Sequence, residues 1–272
     1  MMTKKGIDIS YANPKVDFVK AKAAGVEFAI IRTGYRQKTD DMFHSHIKGA
    51  TAAGMGVGVY CYCMATTPAE ARKEADYVLS LIKAYSLTYP VFYDMEDVSI
   101  ENLSRTKLTN IAVAFLEKIK AAGYRTGIYA NPSWLENRLN RDKLTDYDIW
   151  LAHWTGAPDK PSKYDYGQTV WQWGAGDVDG ISGKVDGDIC YVDYSLKTVA
   201  SPRPTTENRK ATDFLNFRRK PSLKSEALGV IAPNTVVTVY PGETAIEDGY
   251  VWIKTLFNGL TGYSAEKYLS KV

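Results

Sequence analysis

The feature that most constrains the fold is a change from a helical to an extended pattern that occurs three times at the same tripeptide. Its copies are Ala23-Ala24-Gly25, Ala52-Ala53-Gly54 and Ala121-Ala122-Gly123, and an apolar, β-like run follows each of them directly. Glycine just beyond a helix adopts the left-handed backbone that closes the helix, so each copy predicts a helix that leads into a strand. Regular alternation of helices and strands is typical of a parallel sheet.

Eight strands are predicted in the first 195 residues. They are expected at residues 6–10, 26–31, 55–60, 90–96, 124–129, 148–154, 169–173 and 185–192. The last three runs leave no room for helices between them. An open, doubly wound sheet would normally carry a glycine-rich turn after its first strand, and the turn at residues 8–14 has no glycine. The pattern therefore predicts an α/β chain in which eight strands and about five helices form a β/α barrel.

The composition changes near residue 200. Residues 196–208 contain two prolines and four Ser or Thr residues, which is typical of a linker. Beyond them, four short β-like runs separated by turn residues predict a small all-β barrel. The predicted organisation is a barrel domain over 1–195, a linker over 196–208 and a β domain over 209–272. The net charge of +3 belongs entirely to residues 209–272 and is too small to indicate a nucleic-acid partner.

Cysteine content and the absence of long apolar runs indicate where the chain is made. Three cysteines, at positions 61, 63 and 190, cannot all be paired, which is typical of folding in a reducing compartment. The first apolar run is interrupted at once by Asp8, so no signal peptide is predicted. No apolar run of 18 residues occurs, so no membrane insertion is expected. These features predict synthesis in the cytoplasm.

The strongest candidates for chemistry are two acids at the end of the strand predicted at 90–96. Asp94 and Glu96 are two residues apart, which would place them on one strand face with Cα atoms about 6.5–7 Å apart. Barrel active sites lie at the C-terminal strand ends, where Asp8 ends the first strand and Asp186 begins the last. Neighbouring carboxyls resist double ionisation and keep one proton available, as glycoside hydrolysis requires. Solvated surface acids and a magnesium site remain alternatives.

No cofactor and no metal site are predicted. The acidic run at 177–188 superficially resembles a calcium loop, but Ile181 occupies the fifth position, where an oxygen ligand is needed. His44 and His46 are two residues apart on a predicted helix, so they lie on different faces and cannot bind one metal together.

Aromatic side chains occur along the same predicted rim. Those at or near strand ends are Tyr62, Tyr129, Trp154, Trp171 and Trp173. Such rings stack on the apolar faces of sugars while their polar tips hydrogen-bond hydroxyl groups. A place in the core is an equal alternative for any one of them, but the group as a whole favours a sugar-binding cleft.

Six motifs carry a resemblance to a known family. They are Gly6-Ile7-Asp8-Ile9-Ser10, Val59-Tyr60-Cys61-Tyr62, Tyr93-Asp94-Met95-Glu96, Gly127-Ile128-Tyr129-Ala130-Asn131, Trp171-Gln172-Trp173 and Gly180-Ile181-Ser182-Gly183-Lys184-Val185-Asp186. In order and spacing they resemble the glycoside hydrolase family 25 lysozymes, which are N-acetylmuramidases common in bacteriophage endolysins. The resemblance covers about residues 5–195 and implies an irregular β/α barrel of eight strands and five helices.

The resemblance also implies roles for individual residues. Glu96 would be the general acid/base, and Asp94 would orient and stabilise an intermediate formed by the 2-acetamido group of the substrate. Asp8 and Asp186 would complete the acidic cleft. The side chains expected to bind the substrate are Tyr62, Tyr129, Trp154, Trp171 and Gln172. Where the family often has Asp-x-Asn, this chain has Asp186-Gly187-Asp188, so the division of roles among Asp186, Asp188 and Asp193 is left open.

The C-terminal segment resembles a bacterial SH3 domain. The residues that carry this resemblance include Leu215-Asn216-Phe217-Arg218 and Val251-Trp252-Ile253-Lys254. Such modules bind cell-wall peptides, and a short linker raises the effective concentration of the attached domain at the wall. The expected partner is peptidoglycan, with the glycan strand in the barrel cleft and a wall component on the C-terminal domain. The oligomeric state is left open.

Together the two resemblances imply a phage endolysin of a Gram-positive host. It would cleave the β-1,4 bond between N-acetylmuramic acid and N-acetylglucosamine with retention, and would act on the wall after release from the host cytoplasm. The alternatives are a wall-binding protein with an inactive barrel and a bacterial autolysin. A cytosolic sugar-phosphate enzyme is disfavoured, because no phosphate-binding glycine turn is evident.

Overall fold

The computed structural model describes residues 3–194, 207–258 and 260–272. The chain divides into two compact units, Met1–Ser201 and Pro202–Val272. Residues 196–206 of the predicted linker lie outside the described residues, and its last two residues, Glu207 and Asn208, already belong to a strand of the second unit. The two units are therefore described separately.

The first unit is built on a closed barrel. Its strands within residues 3–194 are β1 (Lys4–Ile9), β2 (Phe28–Tyr35), β3 (Lys38–Thr39), β4 (Gly56–Tyr62), β5 (Val91–Asp94), β6 (Thr126–Ala130), β7 (Asp148–Ala152), β8 (Val170–Asp177) and β9 (Lys184–Cys190). Eight of them follow one another around the barrel in the order β1, β9, β8, β7, β6, β5, β4 and β2, and β2 pairs with β1 to close it. The short β3 only extends β2. The predicted barrel of eight strands is confirmed.

The last barrel strand runs against its neighbours. β9 is antiparallel to both β1 and β8, whereas the other pairs around the barrel are parallel. Only residues 178–183 separate β8 from β9. A parallel crossover needs a dozen or more residues, so a connection of this length allows only a hairpin. As a result, the first residues of β9 lie at the same end of the barrel as the last residues of β1.

Helices surround the barrel. In the described part of this unit the α-helices are α1 (Phe18–Ala23), α2 (Phe43–Ala52), α3 (Pro68–Ile82) and α4 (Arg105–Ala121), and Trp134–Arg138 forms a π-helical turn as a fifth helical segment. The glycines of the repeated tripeptide, Gly25, Gly54 and Gly123, have φ angles of 96°, 70° and 90°. They close α1, α2 and α4 as the sequence predicts. None of the helices among the described residues is both long and apolar enough to cross a membrane.

Two apolar layers hold this unit together. Phe28, Phe92 and Trp150 belong to a cluster inside the barrel, and a larger cluster lies between the strands and the helices. Side chains alternate along a strand, so β5 places Phe92 and Asp94 inside and Tyr93 outside, where its ring stacks on Phe115 with 3.9 Å between centroids. The inward position of Phe92 sets Asp94 above the apolar interior, at the C-terminal end of the strand.

The second unit is a small antiparallel β structure. Its strands among residues 207–258 and 260–272 are β10 (Glu207–Ala211), β11 (Leu215–Arg218), β12 (Ala227–Ile231), β13 (Val236–Glu247), β14 (Tyr250–Phe257), β15 (Leu260–Ala265) and β16 (Leu269–Lys271). They follow one another in the order β12, β11, β15, β14, β13, β10 and β16. Phe217, Val239 and Ile253 lie in its core. The predicted small all-β domain is confirmed.

Candidate active site

Five carboxylic acids lie together at the mouth of the barrel. Asp8 is near the end of β1, Asp94 ends β5 and Glu96 follows two residues later, while Asp186 and Asp188 come from β9. Asp8 is directly opposite Asp186 in the β1–β9 pair. The charges of these groups act on one another strongly enough to shift their pKa values. The structure therefore brings together the four acids predicted from the sequence and adds Asp188 to them.

Glu96 reaches the mouth in a different way from the one predicted. β5 ends at Asp94, so the expectation that Asp94 and Glu96 occupy consecutive inward positions of one strand is wrong. Glu96 lies in the loop that follows, and its side chain is exposed, whereas Asp94 is buried. The pair thus consists of one acid that solvent can reach and one that it cannot.

Burial and mutual repulsion raise the pKa values of these acids. For Asp94 burial is the larger cause, and the charges of Glu96 and Asp8 add to it, while the Arg32 guanidinium acts in the opposite direction. The pKa of Glu96 is raised by loss of water around its carboxyl and then by the charges of Asp186 and Asp97. Raised carboxyl pKa values favour the protonated form. The mouth can therefore hold protons at a pH at which free carboxyls have lost them.

Gln172 is a buried junction beneath the acids. Its Nε2 donates to Asp8 Oδ2 at 2.8 Å, and its Oε1 accepts hydrogen bonds from Tyr129 Oη at 3.0 Å and Trp154 Nε1 at 2.8 Å. We predicted that Gln172 binds the substrate, and this is corrected, because Gln172 is buried and both ends of its amide are already hydrogen-bonded. Its geometry fixes the Asp8 carboxyl and the two aromatic side chains instead.

The predicted aromatic rim is only partly at the surface. Trp171 is 1% exposed in the cluster outside the barrel, where its Nε1 donates to the His153 carbonyl at 2.8 Å, so its predicted contact with substrate is corrected. Tyr129 is buried, and its hydroxyl is used by Gln172. Trp154, by contrast, is 61% exposed, and Tyr62 is half-buried. Trp173 is half-buried as well, but it packs against the cluster outside the barrel. Trp154 and Tyr62 are therefore the better candidates for stacking on a sugar.

Asp186, Asp188 and Asp193, whose roles the sequence left open, lie in two different places. Asp188 lies inside the barrel, opposite Gly6, and its Oδ1 accepts a hydrogen bond from Trp150 Nε1 at 2.8 Å. Asp193 follows β9 at the other end of the barrel, where it pairs with Lys4 at 2.8 Å. Asp186 and Asp188 therefore belong to the acidic mouth, and Asp193 does not.

A cavity of about 500 Å³ is lined in part by Tyr11, Arg32, Tyr35 and Tyr62, and the charge of Arg32 acts on Asp94. Buried Asp40 positions two residues that line this cavity, because it accepts hydrogen bonds from Arg32 Nε at 2.7 Å and from the Tyr11 backbone N–H at 3.0 Å. The Arg32 guanidinium in turn lies 4.6 Å from the centre of the Tyr11 ring. Asp40 was not predicted, since nothing in the sequence distinguishes a buried acid before a helix from a solvated one.

Among residues 3–194, 207–258 and 260–272, no group of three or more His, Cys, Asp or Glu side chains could hold a metal ion. Cys61, Cys63 and Cys190 are buried and unpaired, and burial raises the pKa of each thiol. Thiols of this kind are poor nucleophiles.

Comparison with known proteins decides the family. The model of the glycosyl hydrolases family 25 matches residues 7–181, and that of the bacterial SH3 domain matches residues 213–270. The chain belongs to glycosyl hydrolase family 25.

Proteins similar to this chain include bacterial and phage proteins. Lysozyme M1 of Streptomyces globisporus is 30% identical over 198 residues, which are 67% of this chain and 66% of that protein. Among solved structures, the modular autolysin LytC from Streptococcus pneumoniae, in complex with a synthetic peptidoglycan ligand, has a TM-score of 0.61 and 30% identity over 70% of this chain and 47% of that one. The catalytic domain of endolysin ply40, from bacteriophage P40 of Listeria monocytogenes, has a TM-score of 0.63 and 26% identity over 74% of this chain and 98% of that one. The chain thus spans about two thirds of the lysozyme and about half of the autolysin.

Proposed function

We propose that this family 25 protein hydrolyses peptidoglycan by cleaving the β-1,4 bond between N-acetylmuramic acid and N-acetylglucosamine. The observation that carries the proposal is the group formed by Glu96, Asp94, Asp8 and Asp186 at the mouth of the barrel. A glycosidase needs one protonated acid and one carboxylate close to the scissile bond. The names of the relatives, which include a lysozyme, an autolysin and an endolysin, support this choice of substrate.

In the proposed reaction Glu96 is the general acid and then the general base. It is the exposed member of the Asp94–Glu96 pair, and its raised pKa favours a proton that can be donated to the leaving glycosidic oxygen. As that bond breaks, the acetamido oxygen of the substrate bonds to the anomeric carbon and forms a cyclic cation. Water then attacks the same carbon, gives a proton to Glu96 and displaces the acetamido oxygen, whose bond to that carbon breaks and restores the acetamido group. Two displacements at one carbon retain the configuration.

Asp94 is suited to stabilising that cation. It is buried directly beside the mouth, and its Oδ1 has no hydrogen-bond partner among the described residues. This oxygen is therefore free to accept the acetamido N–H of the substrate. The charge of Arg32 favours the ionised form of Asp94, and positive charge developing on the substrate favours it further.

Aromatic side chains would bind the glycan on either side of the acids. Trp154 is exposed with its indole N–H fixed on Gln172, so it presents a rigid ring. Tyr62 and Tyr11 line the cavity that also contains Arg32, whose charge acts on Asp94. Rings held in this way stack on sugar faces at little cost in conformational entropy.

The second unit would hold the enzyme on the wall. Residues 209–272 carry nine basic and six acidic residues, an excess that favours an anionic envelope. Attachment to the wall raises the local concentration of glycosidic bonds around the barrel. The ligand in this proposal is a component of the bacterial cell wall.

We also propose that the protein is a phage endolysin of a Gram-positive host, made in the host cytoplasm and active after release. Three buried, unpaired cysteines are consistent with folding in a reducing compartment, and the likeness to the phage P40 endolysin domain supports the proposal. The likeness to the pneumococcal autolysin favours a bacterial autolysin as the second candidate.

The test is mass spectrometry of the fragments released from purified Gram-positive peptidoglycan. We expect fragments with N-acetylmuramic acid at the reducing end, and we expect Glu96→Gln to lower their release by about 10²–10⁴-fold without reducing binding to sedimented walls. Glu101→Gln changes the same group in the same loop and serves as the matched control. Reducing-end N-acetylglucosamine, free stem peptides, or undiminished release by the Glu96 variant would each overturn the proposal.

A further inference from the structure

Asp188 is a buried residue, and only one of its two carboxyl oxygens has a hydrogen-bond donor. The residue is 1% exposed, and its Oδ1 accepts the hydrogen bond from Trp150 Nε1 at 2.8 Å. Its Oδ2 is buried and has no hydrogen-bond partner in the part of the chain that the structure describes. A buried carboxylate oxygen without a donor is costly, so something must satisfy it.

Asp8 is the neighbouring group that could share a hydrogen bond with this oxygen. On the β1–β9 pair Asp8 is opposite Asp186 and Gly6 is opposite Asp188, so Asp8 and Asp188 project from one sheet face, with Asp188 one step deeper. Their carboxyls lie within hydrogen-bonding reach of each other. Asp8 is also buried, and on its other side Oδ2 accepts from Gln172 Nε2. Two carboxyls can share a hydrogen bond only if one of them carries a proton.

Titratable groups around this pair do not supply a positive charge. The other ionisable groups that interact with Asp8 or Asp188 are Asp186, Glu96 and Asp94 at the mouth, Tyr60 on β4, Tyr129 on β6 and Cys190 on β9. Arg32 acts on the neighbouring Asp94 and Tyr60, but it is ion-paired with Asp40 at 2.7 Å. Buried like charges without a cation favour uptake of a proton.

We propose that Asp8 and Asp188 hold a single proton between them, and that Asp188 is thereby the positioning residue for Asp8 in the active site. The positioning role rests on the function proposed above, whereas the shared proton does not. With the proton between them, the Asp8 carboxyl is fixed from one side by Gln172 and from the other by Asp188. The pair then carries one negative charge instead of two, which limits repulsion of Asp186 and Glu96.

The shared proton can be detected without measuring activity, from the pH dependence of the unfolding equilibrium. Asp188→Asn keeps an oxygen for Trp150 and offers an N–H to Asp8. Burial and the Asp186 charge still raise the pKa of Asp8, but the amide removes the second carboxyl and stabilises the Asp8 carboxylate with a donor, so we expect the shared proton to be lost. Both acids are ionised in the unfolded chain above about pH 5. The wild-type native state therefore binds one proton more than the unfolded state does. Between pH 5 and 7 its unfolding equilibrium constant should rise about tenfold per pH unit relative to that of Asp188→Asn.

Chemical denaturation of the full chain at several pH values makes this measurement. Five of the six tryptophans lie in the first unit, so fluorescence follows mainly the barrel. Exposed Asp177 on β8, replaced by Asn, is the matched control and should keep the wild-type slope. Equal slopes for the wild type and Asp188→Asn would overturn the shared proton, whatever the enzyme does to peptidoglycan.

The positioning role is tested by conservative rescue. Asp188→Ala leaves Trp150 and Asp8 without their partner, and we expect it to lose at least about tenfold in peptidoglycan hydrolysis. Asp188→Asn should restore activity near neutral pH, because its amide gives the Asp8 carboxylate an N–H in place of the shared proton. Full activity in Asp188→Ala, or no rescue by Asn, would overturn the role. If the wild type itself releases no muramic acid ends, the proposed function fails, and the proton count still stands or falls by the denaturation data.

Discussion

The barrel mouth and the second unit use charge in opposite ways. At the mouth, acids are gathered beside one another, and their pKa values are raised by burial and repulsion. In the second unit, Arg219 pairs with Glu226 at 2.7 Å on the surface, and each shifts the pKa of the other toward the charged form. At the mouth the raised pKa values favour protonated carboxyls, whereas the Arg219–Glu226 pair of the second unit favours the charged form of both side chains.

This difference shows that net charge does not locate chemistry. Residues 1–208 contain equal numbers of acidic and basic side chains, and all of the excess charge lies in residues 209–272. The group of acids at the barrel mouth nevertheless lies in the part with no net charge. Strand ends bring these acids together, and basic residues elsewhere in residues 1–208 balance their charge. Spatial arrangement, and not the sum, sets the pKa values.

Among the substitutions that test this difference between the two regions, Asp94→Asn is expected to have the largest effect on hydrolysis. The amide keeps the size of the side chain but cannot stabilise positive charge, so hydrolysis should fall by about 10²–10³-fold. Binding to sedimented walls should be unchanged. Exposed Asp146→Asn is the control for a substitution of the same type outside the mouth. Activity of Asp94→Asn within a few-fold of the wild type would mean that the buried acid has no part in the reaction.

A smaller effect is expected on the pH dependence of hydrolysis. Burial first and the Asp186 charge second raise the pKa of Glu96. The acid form of Glu96 therefore persists above the pH at which an exposed glutamate loses its proton, and the alkaline limb of kcat/KM should lie above pH 4.5. Asp186→Asn removes a repelling charge, lowers the pKa of Glu96 and should move that limb to lower pH. A limb that stays in place, or moves upward, contradicts the assignment.

The smallest effect is expected in the second unit. Arg209 is mostly buried and bonds to Glu207 and Glu266, so Arg209→Met should lower the unfolding free energy of this unit by about 1–3 kcal/mol. The exposed Arg219–Glu226 pair is the comparison, and Arg219→Met should lower the unfolding free energy much less, because solvent screens the pair. Hydrogen exchange of the backbone amides of β10 to β16 reports on both variants. Equal costs for the two would show that burial does not distinguish these pairs.

Much of the fold could be predicted because its signals are local. The tripeptides at Gly25, Gly54 and Gly123 end helices through a backbone conformation that depends only on neighbouring residues. Predictions that depended on which strand face points inward were less successful. On β8 Trp171 faces the helices and Gln172 faces the mouth. Barrel strands are buried on both faces, so their sequence lacks the alternation that would have indicated this.

The same limit applies to the candidate site. The sequence by itself determined that acids stand at the ends of β1 and β5 and near the start of β9, because strand order and length follow from local patterns. Only the tertiary structure decided that Asp188 lies against Asp8, that Gln172 holds Asp8, and that Asp40 holds Arg32 and Tyr11. These contacts join residues far apart in the chain, and the closure of the barrel sets both their distance and the burial that changes their chemistry.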